Sequence, residues 1–527
     1  MGETATEQHS DTYRLSLWHI AADHPDRVAI IDPDGSQLTF AELLNQVQRL
    51  SHGLRNLGVE HGDVIAAALP NCKEFMICEL AAVQAGFYFV PVNCHLTAEE
   101  AVHVLVDSEA IVLIGHEGFA EQAARIANQA SLTADKCFAV GEIPGFLSLS
   151  ELLSEAPEDP NRRLAGARMT YTSGTTGMPK GIRRALPDGD PADLLARSSF
   201  MGATGFGNKP GPGVCLTCGL LHHAGPSMMS SSTLHVGYTQ VLMDKWTPES
   251  CLRLIEKYKV NCSQMVPTMF HRLLRLPDQT KSKYDLSSLA SIMHTGAPCP
   301  RESKQRIMDW LGPVVYETYG GTEGAATIAT PRRWLQKPGT VGKPIHGVKI
   351  RILDEKDNDL QPGEVGEIYI LASKGPKTEY YKDPEKTRSI WKGDYFTLGD
   401  MGYLDEDGLL FISDRKKDMI ISGGVNIFPV EAEAALFGHP KVQDVAVIGI
   451  PDPEWGEQVK AVVQPVEGVT GSDKLGLELI DFCRKKIAHY KCPRSIDFRQ
   501  TLPRAENGKL YKRRIRDEYW ADHKQRI

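Results

Sequence analysis

Hydrophobic and polar positions in the N-terminal part of the chain alternate between the spacing of short strands and that of amphipathic helices. Thr39 and Glu42 form a capping box, in which each side chain satisfies a backbone N–H of the other residue at a helix start. Gly58 is typical of the end of such a helix. The expected buried face consists of Leu43, Val47, Leu50 and Leu54. The pattern therefore predicts a helix that begins at this box and stops at Gly58.

The same alternation continues to about Val140. Strands are predicted at 64–69, 87–90 and 111–114, and helices at 73–84 and from a second capping box, Thr97 to Glu100, toward Val106. Strands that alternate with helices of this length predict an α/β fold, with a mainly parallel sheet covered by helices. This part of the chain is expected to be scaffold without chemistry.

The pattern changes in the second half of the chain. From Gly347 onward, short β runs at 348–353 and 366–371 are separated by charged turns, which predicts a small β-rich subdomain. The C-terminal residues predict a compact α+β module, with helices at 430–437 and 474–486 and strands at 442–449, 459–464 and 495–498. The end of this module is strongly cationic, a pattern typical of a solvated face.

Composition and charge exclude several classes of function. The 527 residues carry a formal net charge of −8, so nucleic acid is not expected as a partner and any binding of phosphates must come from local groups. Eleven cysteines without framework spacing suit a reducing cytoplasm. Cys215 and Cys218 have CxxC spacing, but no second pair lies in register, so a zinc or redox site is not favoured. The N-terminus lacks the features of a secretory signal, and no run is long enough for a transmembrane segment.

Hydroxyls and glycines crowd ahead of a single lysine in one stretch, Tyr171-Thr172-Ser173-Gly174-Thr175-Thr176-Gly177-Met178-Pro179-Lys180-Gly181. Glycines let the backbone present N–H groups to an anion, and the hydroxyls add donors. Pro179 and Gly181 on either side of Lys180 exclude a Walker A loop, which needs a hydroxyl residue directly after its lysine. On composition alone, a surface linker is the stronger interpretation, and only further motifs favour phosphate binding.

Four such motifs follow in the chain: Tyr319-Gly320-Gly321-Thr322-Glu323, Leu398-Gly399-Asp400, Ser413-Asp414-Arg415 and Pro503-Arg504-Ala505-Glu506-Asn507-Gly508-Lys509. With the first stretch, they resemble the signatures of the adenylate-forming superfamily, which includes acyl-CoA synthetases, luciferases and the adenylation domains of peptide synthetases. The resemblance covers most of the chain. It implies an N-terminal AMP-binding domain of stacked, helix-covered sheets at 1–413 with its β-rich subdomain at about 340–413, a hinge at 414–417 and a mobile C-terminal domain at 418–527.

The resemblance also implies roles for individual residues. Lys509 is expected to enter the site during adenylation and to be catalytic together with Glu323, Thr322 and Thr172. Glu323 would hold Mg²⁺, which usually lies between one carboxylate and substrate phosphates. Tyr319 would stack on adenine, and Asp400 would accept both ribose hydroxyls, since one carboxylate can bind a vicinal diol through two hydrogen bonds. The residues expected to bind ATP or AMP are Thr172, Ser173, Gly174, Thr175, Thr176, Gly177, Lys180, Gly296, Ala297, Pro298, Glu317, Thr318, Tyr319, Gly320, Thr322, Asp400, Arg415 and Lys509.

A second set of residues would bind the acid and CoA. The expected acyl pocket comprises His223, Met265, Thr268, Gly296, Gly320 and Ala325. His222 is expected to be a packed neighbour of His223, because consecutive side chains point in different directions and rarely chelate one metal ion. Lys417 would be the pivot of the hinge. The residues expected at CoA are Gly423, Gly424, Arg484, Lys491 and Arg494.

The predicted activity is ATP-dependent, AMP-forming activation of a carboxylic acid through an acyl-adenylate, followed by transfer to CoA, in fatty-acid or lipid metabolism. The expected pocket residues are mostly small or apolar, which predicts a hydrophobic acid: a medium or long chain, an aromatic ring or a fused-ring acid. The expected partners are this acid, ATP, Mg²⁺ and CoA, and a homodimer is compatible with the sequence. The alternative is an acyl-AMP ligase that loads another acceptor such as a carrier protein. A non-catalytic nucleotide sensor would be expected to have lost Lys509, Glu323 or Asp400, and all three are present.

Overall fold

The structure is a computed structural model that describes residues 14–157, 159, 162–172, 178–371, 377–504 and 510–521. The chain divides into two compact units. Unit 1 is Met1–Trp246 with Arg253–Ser263 and Ser288–Ser291, and unit 2 is Thr247–Leu252 with Gln264–Ser287 and Ile292–Ile527. The boundary drawn from the sequence at 414–417 stays a prediction.

The helices α1–α17 are, in chain order, Leu17–Asp23, Phe40–Asn56, Lys73–Ala85, Ala98–Ser108, Ala120–Gln129, Leu149–Leu153, Pro191–Gly205, Ala224–His235, Pro248–Tyr258, Pro267–Leu274, Asp278–Lys281, Arg301–Leu311, Pro331–Gln336, Pro384–Ile390, Pro429–Phe437, Asp473–Arg484 and Lys512–Trp520. The strands β1–β28 are Val28–Ile31, Gln37–Thr39, Val64–Ala68, Tyr88–Pro91, Ala110–His116, Cys137–Val140, Leu147–Ser148, Ala167–Arg168, Thr170–Thr172, Lys180–Arg183, Gly213–Thr217, Tyr238–Leu242, Cys262–Met265, Ser291–His294, Val315–Gly321, Gly324–Ala329, Lys343–Pro344, Lys349–Leu353, Gly366–Leu371, Glu379–Tyr380, Trp391–Lys392, Tyr395–Leu404, Leu410–Arg415, Ile420–Ser422, Val425–Ile427, Val442–Asp452, Gly456–Pro465 and Ser495–Phe498.

Both predicted capping boxes are confirmed. At the start of α2, Thr39 accepts the backbone N–H of Glu42, and the Glu42 carboxylate accepts the N–H of Thr39 at 2.8 Å. Thr97 and Glu100 make the same reciprocal contacts at the start of α4. The four predicted face residues of α2 are fully buried in the main core of unit 1. Local capping and the apolar stripe thus fix both the start of the helix and the face that it packs.

Unit 1 has the predicted α/β architecture. One sheet has the order β7-β6-β5-β3-β4-β8, and all of these neighbours are parallel. A second group of strands has the order β2-β1-β12-β11, parallel except at β1 and β2. Parallel strands bury both faces under helices, which explains why β3 is buried at every position.

The strand that leads into the Tyr319–Glu323 motif is longer than the sequence predicts. The apolar run 314–316 predicts a strand that ends at the polar residues 317–323, but β15 runs through Gly321 and turns back into β16. The backbone of Glu317 through Gly321 pairs with Gly324 through Ala329, so the polar residues lie in a hairpin and not in a loop. The prediction was wrong because the cross-strand ladder, which local polarity does not reveal, extends the strand.

The β-rich subdomain is an antiparallel sheet with the order β18-β19-β22-β21, and β23 pairs with β22. The C-terminal residues form a second sheet, β25-β24-β27-β26, in which β28 joins β27 in parallel. Each sheet has its own hydrophobic cluster, centred on residues such as Ile368 and Val447 respectively. These clusters agree with the predicted β-rich and α+β parts of the chain.

Candidate adenylate-forming site

Three residues that the sequence assigned to the nucleotide meet in unit 2. Asp400 is 6% exposed, and its two carboxylate oxygens have different partners. Tyr319 donates its hydroxyl to Asp400 Oδ2 at 2.9 Å, and Arg415 Nε lies 3.3 Å from Asp400 Oδ1. Burial raises the pKa of Asp400, while Arg415 and Tyr319 oppose that rise. The arrangement presents one carboxylate between an aromatic ring and a guanidinium, which suits a ribose and its phosphate.

A bulge in the β-rich sheet places Asp400. Strand β22 pairs Thr397 with Tyr369 and Met401 with Glu367, so three residues on β22, 398–400, lie opposite the single residue Ile368 on β19. Gly399 has φ +76°, a conformation that a residue with a Cβ rarely adopts. Asp400 is itself the register partner of Arg415 on β23. Bulges commonly redirect a side chain next to a functional site, and here the Leu-Gly-Asp motif supplies the glycine that the bulge needs.

The Glu323 carboxylate is held by a residue that the sequence analysis missed. Tyr380 donates its hydroxyl to Glu323 Oε1 at 2.6 Å, and Thr378 donates its hydroxyl to the backbone carbonyl of Glu323 at 2.9 Å. Burial and the charge of Glu323 raise the pKa of Tyr380, so the hydroxyl keeps its proton. The spacing of 57 residues between the two partners leaves no local signal by which sequence could have found the pair.

Glu317 lies in a buried ionic cluster. Lys304 Nζ, on α12, is 2.6 Å from Glu317 Oε2, and His294 Nε2, on β14, is 3.2 Å from the same oxygen. Lys304 and His294 are fully buried, and Glu317 is 8% exposed. Burial opposes ionisation of Glu317, but His294 and Lys304 outweigh it and lower the pKa of Glu317 to about 2. The sequence pointed to Glu317 and not to its partners, which come from two other elements.

The other hairpin residues expected at the nucleotide, Thr318, Gly320 and Thr322, have different structural roles. Thr318 donates its hydroxyl to the backbone carbonyl of Thr327 on β16, so it also stabilises the hairpin. A Cβ at Gly320 would lie 2.7 Å from the Cα of Ala325, its partner across the hairpin. Thr322 lies in the turn between β15 and β16. The close backbone approach explains why glycine and alanine occupy the two expected acyl-pocket positions here.

The phosphate-binding stretch belongs to unit 1, and its residues 173–177 lie outside the described part of the chain. Thr172 and Lys180, its flanking residues, are register partners on β9 and β10. Helix α4 supports both sides: Tyr171 donates to Asp107 at 2.6 Å, and the His103 ring lies 2.9 Å from the carbonyl oxygen of Pro179. Ser173, Gly174, Thr175, Thr176 and Gly177 are not among the described residues, so their phosphate-binding role stays a prediction.

His222 is buried and packs against His223, as expected, but the two side chains do not point in different directions. Their side chains converge, with the two Nε2 atoms 3.2 Å apart and ring centroids 4.2 Å apart. The chain turns here, since the His223 N–H donates to the Leu220 carbonyl and His223 precedes α8, so neither strand nor helix geometry separates the side chains. Burial, His223 and Arg168 lower the pKa of His222 well below its ordinary range. His222 is therefore neutral, and one ring nitrogen can donate to the other.

Arg168 is the cation near this histidine pair. Its guanidinium donates to Glu79 at 2.9 Å, to the Ser227 hydroxyl at 2.5 Å and to the Leu221 carbonyl at 2.7 Å. The carboxylate of Glu79 thus compensates the charge of Arg168. The contact with Leu221 also fixes the chain directly before His222.

The other expected acyl-pocket and adenine residues lie in unit 2. Met265 ends β13 and is 1% exposed, and Thr268 is half-buried near the start of α10. Gly296 has φ +89° and is exposed, as is Pro298, while Ala297 is half-buried. These residues supply small or apolar surface and no charged side chain.

The expected CoA residues of the C-terminal module are only partly assembled. Gly423 and Gly424 both have positive φ, at +58° and +78°, and they form the turn between β24 and β25. A Cβ at Gly423 would lie 2.5 Å from the ring of Trp455, and Arg494 stacks over that ring at 5.2 Å. Both glycines are expected at CoA, but the hairpin turn is by itself a sufficient reason for them. The sequence did not indicate Trp455, whose ring connects the turn with Arg494.

The cationic end of the chain is largely neutralised. Lys491 Nζ lies 2.7 Å from both carboxylate oxygens of Glu431, and Arg484 is 3.6 Å from Asp481. Comparable ion pairs join Lys486 to Glu302, Arg499 to Glu518, Arg504 to Asp444, Lys512 to Glu433 and Arg513 to Asp517. The cationic cluster therefore consists mainly of specific ion pairs and is not a uniform positive surface.

The predicted hinge begins at the end of β23. Asp414 accepts the N–H of Val430 at 2.9 Å, and burial raises the pKa of this carboxyl group. Lys417 is exposed, and its backbone carbonyl accepts a hydrogen bond from Arg516 of α17 at 3.2 Å. Lys509 lies outside the described residues. On either side of it, Arg504 and Leu510 form an antiparallel bridge, and the N–H of Tyr511 donates to the Pro503 carbonyl at 2.8 Å.

Among the described residues, no group of three or more His, Cys, Asp and Glu side chains is placed to hold a metal ion. In the same part of the chain, no helix is long and apolar enough to cross a membrane.

The site and fold agree with comparisons to known proteins. Residues 17–378 match the family described as AMP-binding enzyme, and residues 431–509 match the AMP-binding enzyme C-terminal domain. A feruloyl-CoA synthase from Amycolatopsis sp is 34% identical over 92% of this chain and 94% of that protein. A long-chain-fatty-acid–CoA ligase from Bacillus subtilis is 31% identical over 97% and 95% of the two chains. The structure of o-succinylbenzoate CoA synthetase from Bacillus subtilis, in complex with its acyl-adenylate intermediate, superposes with a TM-score of 0.79 and 28% identity over 95% of this chain and 97% of that one.

The chain therefore belongs to the AMP-binding enzyme family, the adenylate-forming superfamily that the five motifs indicated. Within that superfamily it is an AMP-forming acyl-CoA synthetase, since it is similar over nearly its whole length to proteins named as CoA ligases. Its substrates accordingly include ATP, a small-molecule acid and CoA.

Proposed function

We propose that this enzyme activates a hydrophobic carboxylic acid. The observation that supports this is the character of the acyl-pocket candidates in unit 2, where Met265 is buried and Gly320 and Ala325 face each other across a hairpin. In unit 1, the charge of Arg168 near His223 is compensated by Glu79. A second carboxylate on the substrate would need an uncompensated cation, because an unpaired buried charge is costly. The names of the relatives include both feruloyl and long-chain fatty acid substrates, in agreement with an aromatic or aliphatic acid.

In the first half-reaction, the substrate carboxylate attacks the α-phosphorus of ATP and pyrophosphate leaves. Two anions must approach, so the protein contributes mainly by neutralising charge and by orientation. Asp400, fixed by Tyr319 and Arg415, binds the ribose hydroxyls, and Arg415 lies beside the same sugar and its phosphate. Thr172, Lys180 and residues 173–177 bind the phosphates. Lys509 supplies positive charge to the phosphates in this half-reaction only.

Mg²⁺ fits the chemistry of the residues present. It takes hard oxygen ligands and usually combines one protein carboxylate with oxygens of substrate phosphates, and Glu323 offers such a carboxylate on a rigid hairpin. A site of this kind needs no cluster of acidic residues, in agreement with the described part of the chain. When bound, the ion would neutralise phosphate charge.

In the second half-reaction, the CoA thiol attacks the acyl carbon and AMP leaves. The C-terminal module would present the turn at Gly423 and Gly424 to pantetheine after rotating about Lys417. Trp455 and Arg494, which stack beside that turn, supply an aromatic face and a cation for the nucleotide part of CoA. A hinge of this kind lets one module serve two steps with different residues.

The test is a panel of carboxylic acids assayed for AMP release with ATP, Mg²⁺ and CoA. Medium and long fatty acids, cinnamate-like acids and fused-ring acids should be turned over, and acetate and malonate should not. A clear preference for short polar acids would contradict the proposed substrate class.

The acceptor is tested in the same reactions. Product analysis should show the acyl-CoA thioester when CoA is present and bound acyl-AMP when CoA is omitted. Turnover that needs a carrier protein and ignores CoA would contradict CoA as the acceptor while leaving adenylate formation intact.

A further inference from the structure

The segment Glu379–Trp391 has no role in the mechanism described so far, although it directly contacts Glu323. It consists of strand β20, helix α14 and the start of β21. Tyr380 donates its hydroxyl to Glu323 Oε1 at 2.6 Å. A hydrogen bond to a carboxylate at this distance is charge-assisted and strongly directional. Tyr380 therefore restricts the rotation of the Glu323 carboxyl group.

Tyr380 is in turn fixed by its own segment. Its backbone N–H donates to the hydroxyl of Thr387 at 2.9 Å, and that hydroxyl donates to the Asp383 carbonyl at 2.9 Å. Asp383 caps α14 by accepting the N–H of Lys386 at 2.9 Å. The helix start, the threonine and the tyrosine thus form one hydrogen-bonded unit with little freedom at Tyr380.

The residue directly before this segment, Thr378, holds the backbone of Glu323. Thr378 donates its hydroxyl to the Glu323 carbonyl at 2.9 Å, and the Trp391 indole N–H donates to the Thr378 carbonyl at 3.1 Å. Glu323 is thus fixed at its main chain and at its side chain by residues more than fifty positions along the sequence.

The opposite side of the carboxylate is also confined. A Cβ at Gly321 would lie 2.4 Å from Glu323 Oε2 and 2.9 Å from a methyl carbon of Leu398. The carboxylate therefore occupies a place that exists only because residue 321 is glycine. A tyrosine as hydrogen-bond donor fixes the carboxylate without neutralising it, whereas a lysine or arginine would compete with a metal ion for its charge.

We propose that Tyr380 is a positioning residue for the metal–nucleotide complex: its hydroxyl holds the Glu323 carboxylate in the orientation that binds the Mg²⁺ of Mg·ATP. This inference rests on the metal role of Glu323 in the proposed function. Partners that orient a metal ligand are worth roughly 10- to 100-fold in metal affinity when they are removed. Tyr380 touches neither substrate nor metal in this account and acts through Glu323.

The test is Mg²⁺ titration of ATP binding to the Tyr380→Phe variant, followed by calorimetry or by the fluorescence of a bound ATP analogue. The Mg²⁺ concentration at half-saturation should rise about 10-fold or more. Binding of AMP in the presence of EDTA should be unchanged, because the lost hydroxyl donates to Glu323, whereas Asp400 and Tyr319 are hydrogen-bonded to each other. A structural role alone would weaken both ligands together or neither. An unchanged Mg²⁺ dependence in Tyr380→Phe would overturn the proposal.

Three further variants make the outcome specific. Tyr403→Phe removes a tyrosine hydroxyl from β22, where the ring stacks on Phe411, and should leave the Mg²⁺ dependence as in the wild type. Thr387→Val removes the anchor of the Tyr380 backbone and should give a smaller shift in the same direction. Glu323→Gln should shift the Mg²⁺ dependence most, and adding Tyr380→Phe to it should have no further effect.

The combination separates two kinds of failure. If Glu323→Gln leaves the Mg²⁺ dependence of ATP binding unchanged, the metal role in the proposed function is wrong. If Glu323→Gln shifts it and Tyr380→Phe does not, the metal role stands and the positioning role of Tyr380 is wrong. If the shift in Tyr380→Phe is accompanied by equally weakened AMP binding, the loss is structural and the proposal is overturned.

Discussion

Replacing Lys304 with methionine should destabilise the buried core around Glu317, in the hairpin that is predicted to bind adenine. The change removes the fully buried ammonium group that lies 2.6 Å from Glu317 and leaves that carboxylate with His294 as its remaining partner. Removing one partner of a buried ion pair typically costs about 3–5 kcal/mol. The pKa of Glu317, which His294 and Lys304 together lower to about 2, points in the same direction, because it shows that the folded state favours the ionised carboxylate. Both observations therefore predict a local loss of stability.

The measurement is hydrogen exchange of the peptide that covers β15, read by mass spectrometry. A loss of about 3 kcal/mol in the free energy of local opening corresponds to roughly 10²-fold faster exchange. Lys337→Met is a matched control, since Lys337 forms an exposed ion pair with Asp405 and Asp407 and should leave β15 unchanged. Methionine keeps the length and the apolar stem of lysine, so the lost charge is the main difference.

The pH dependence of exchange in β15 shows whether the lost stability comes from the charge of Glu317. In the wild type, the depressed pKa of Glu317 means that its stabilising contribution is complete above about 4.5 and is lost as the pH falls toward 2. Without Lys304, burial favours the protonated acid, so β15 of the variant should become better protected when the pH falls from 7 to 5, after correction for intrinsic exchange. A variant with wild-type exchange at pH 7 and the same pH profile would refute the electrostatic reasoning.

Two further predictions concern the half-reactions. Lys509→Ala should slow adenylate formation by at least roughly 10²–10³-fold and spare thioester formation from supplied acyl-AMP. Lys417→Pro should slow thioester formation and spare adenylate formation, because proline stiffens the hinge. Equal damage to both steps by Lys509→Ala would contradict the rotating-module mechanism. Trp455→Ala should raise the KM for CoA about tenfold by removing the platform on which Arg494 stacks, with its effect confined to the thioester step; a matching loss in the acyl-AMP burst without CoA would place Trp455 elsewhere in the mechanism.

Local patterns predicted the scaffold well. The capping boxes at Thr39 and Thr97 and the apolar face of α2 depend on residues within a few positions of each other, and these predictions are confirmed. The family was also recognisable, because the glycine-rich stretch at 171–181 and the Asp400 motif are each contiguous in sequence. By contrast, the extent of β15 depends on its antiparallel partner β16, so a reading of residues 314–316 alone placed its end too early.

The supporting residues of the site could not be predicted in this way. Tyr380 reaches Glu323 across 57 positions, and Lys304 reaches Glu317 from a helix that has no motif of its own. The convergence of His222 and His223 depends on a turn, where the rule for strands and helices does not apply. In each case, the residues meet through a tertiary contact or an irregular backbone, where spacing along the chain does not determine which side chains are neighbours.

The closed base of the loop that contains Lys509 limits how far that lysine can travel. Arg504 and Leu510 pair directly, and Arg504 and Lys512 are tied by ion pairs to Asp444 and Glu433 in the body of the C-terminal module. An extended chain spans at most about 3.5 Å per residue, so the few residues between Lys509 and the paired positions limit the distance that Lys509 can move. We therefore expect Lys509 to reach and leave the phosphates through the proposed rotation of the module. The rate at which Lys509 arrives at or leaves a phosphate should depend on solvent viscosity, as the diffusion of a whole domain does, and should be insensitive to glycine substitutions within 505–507.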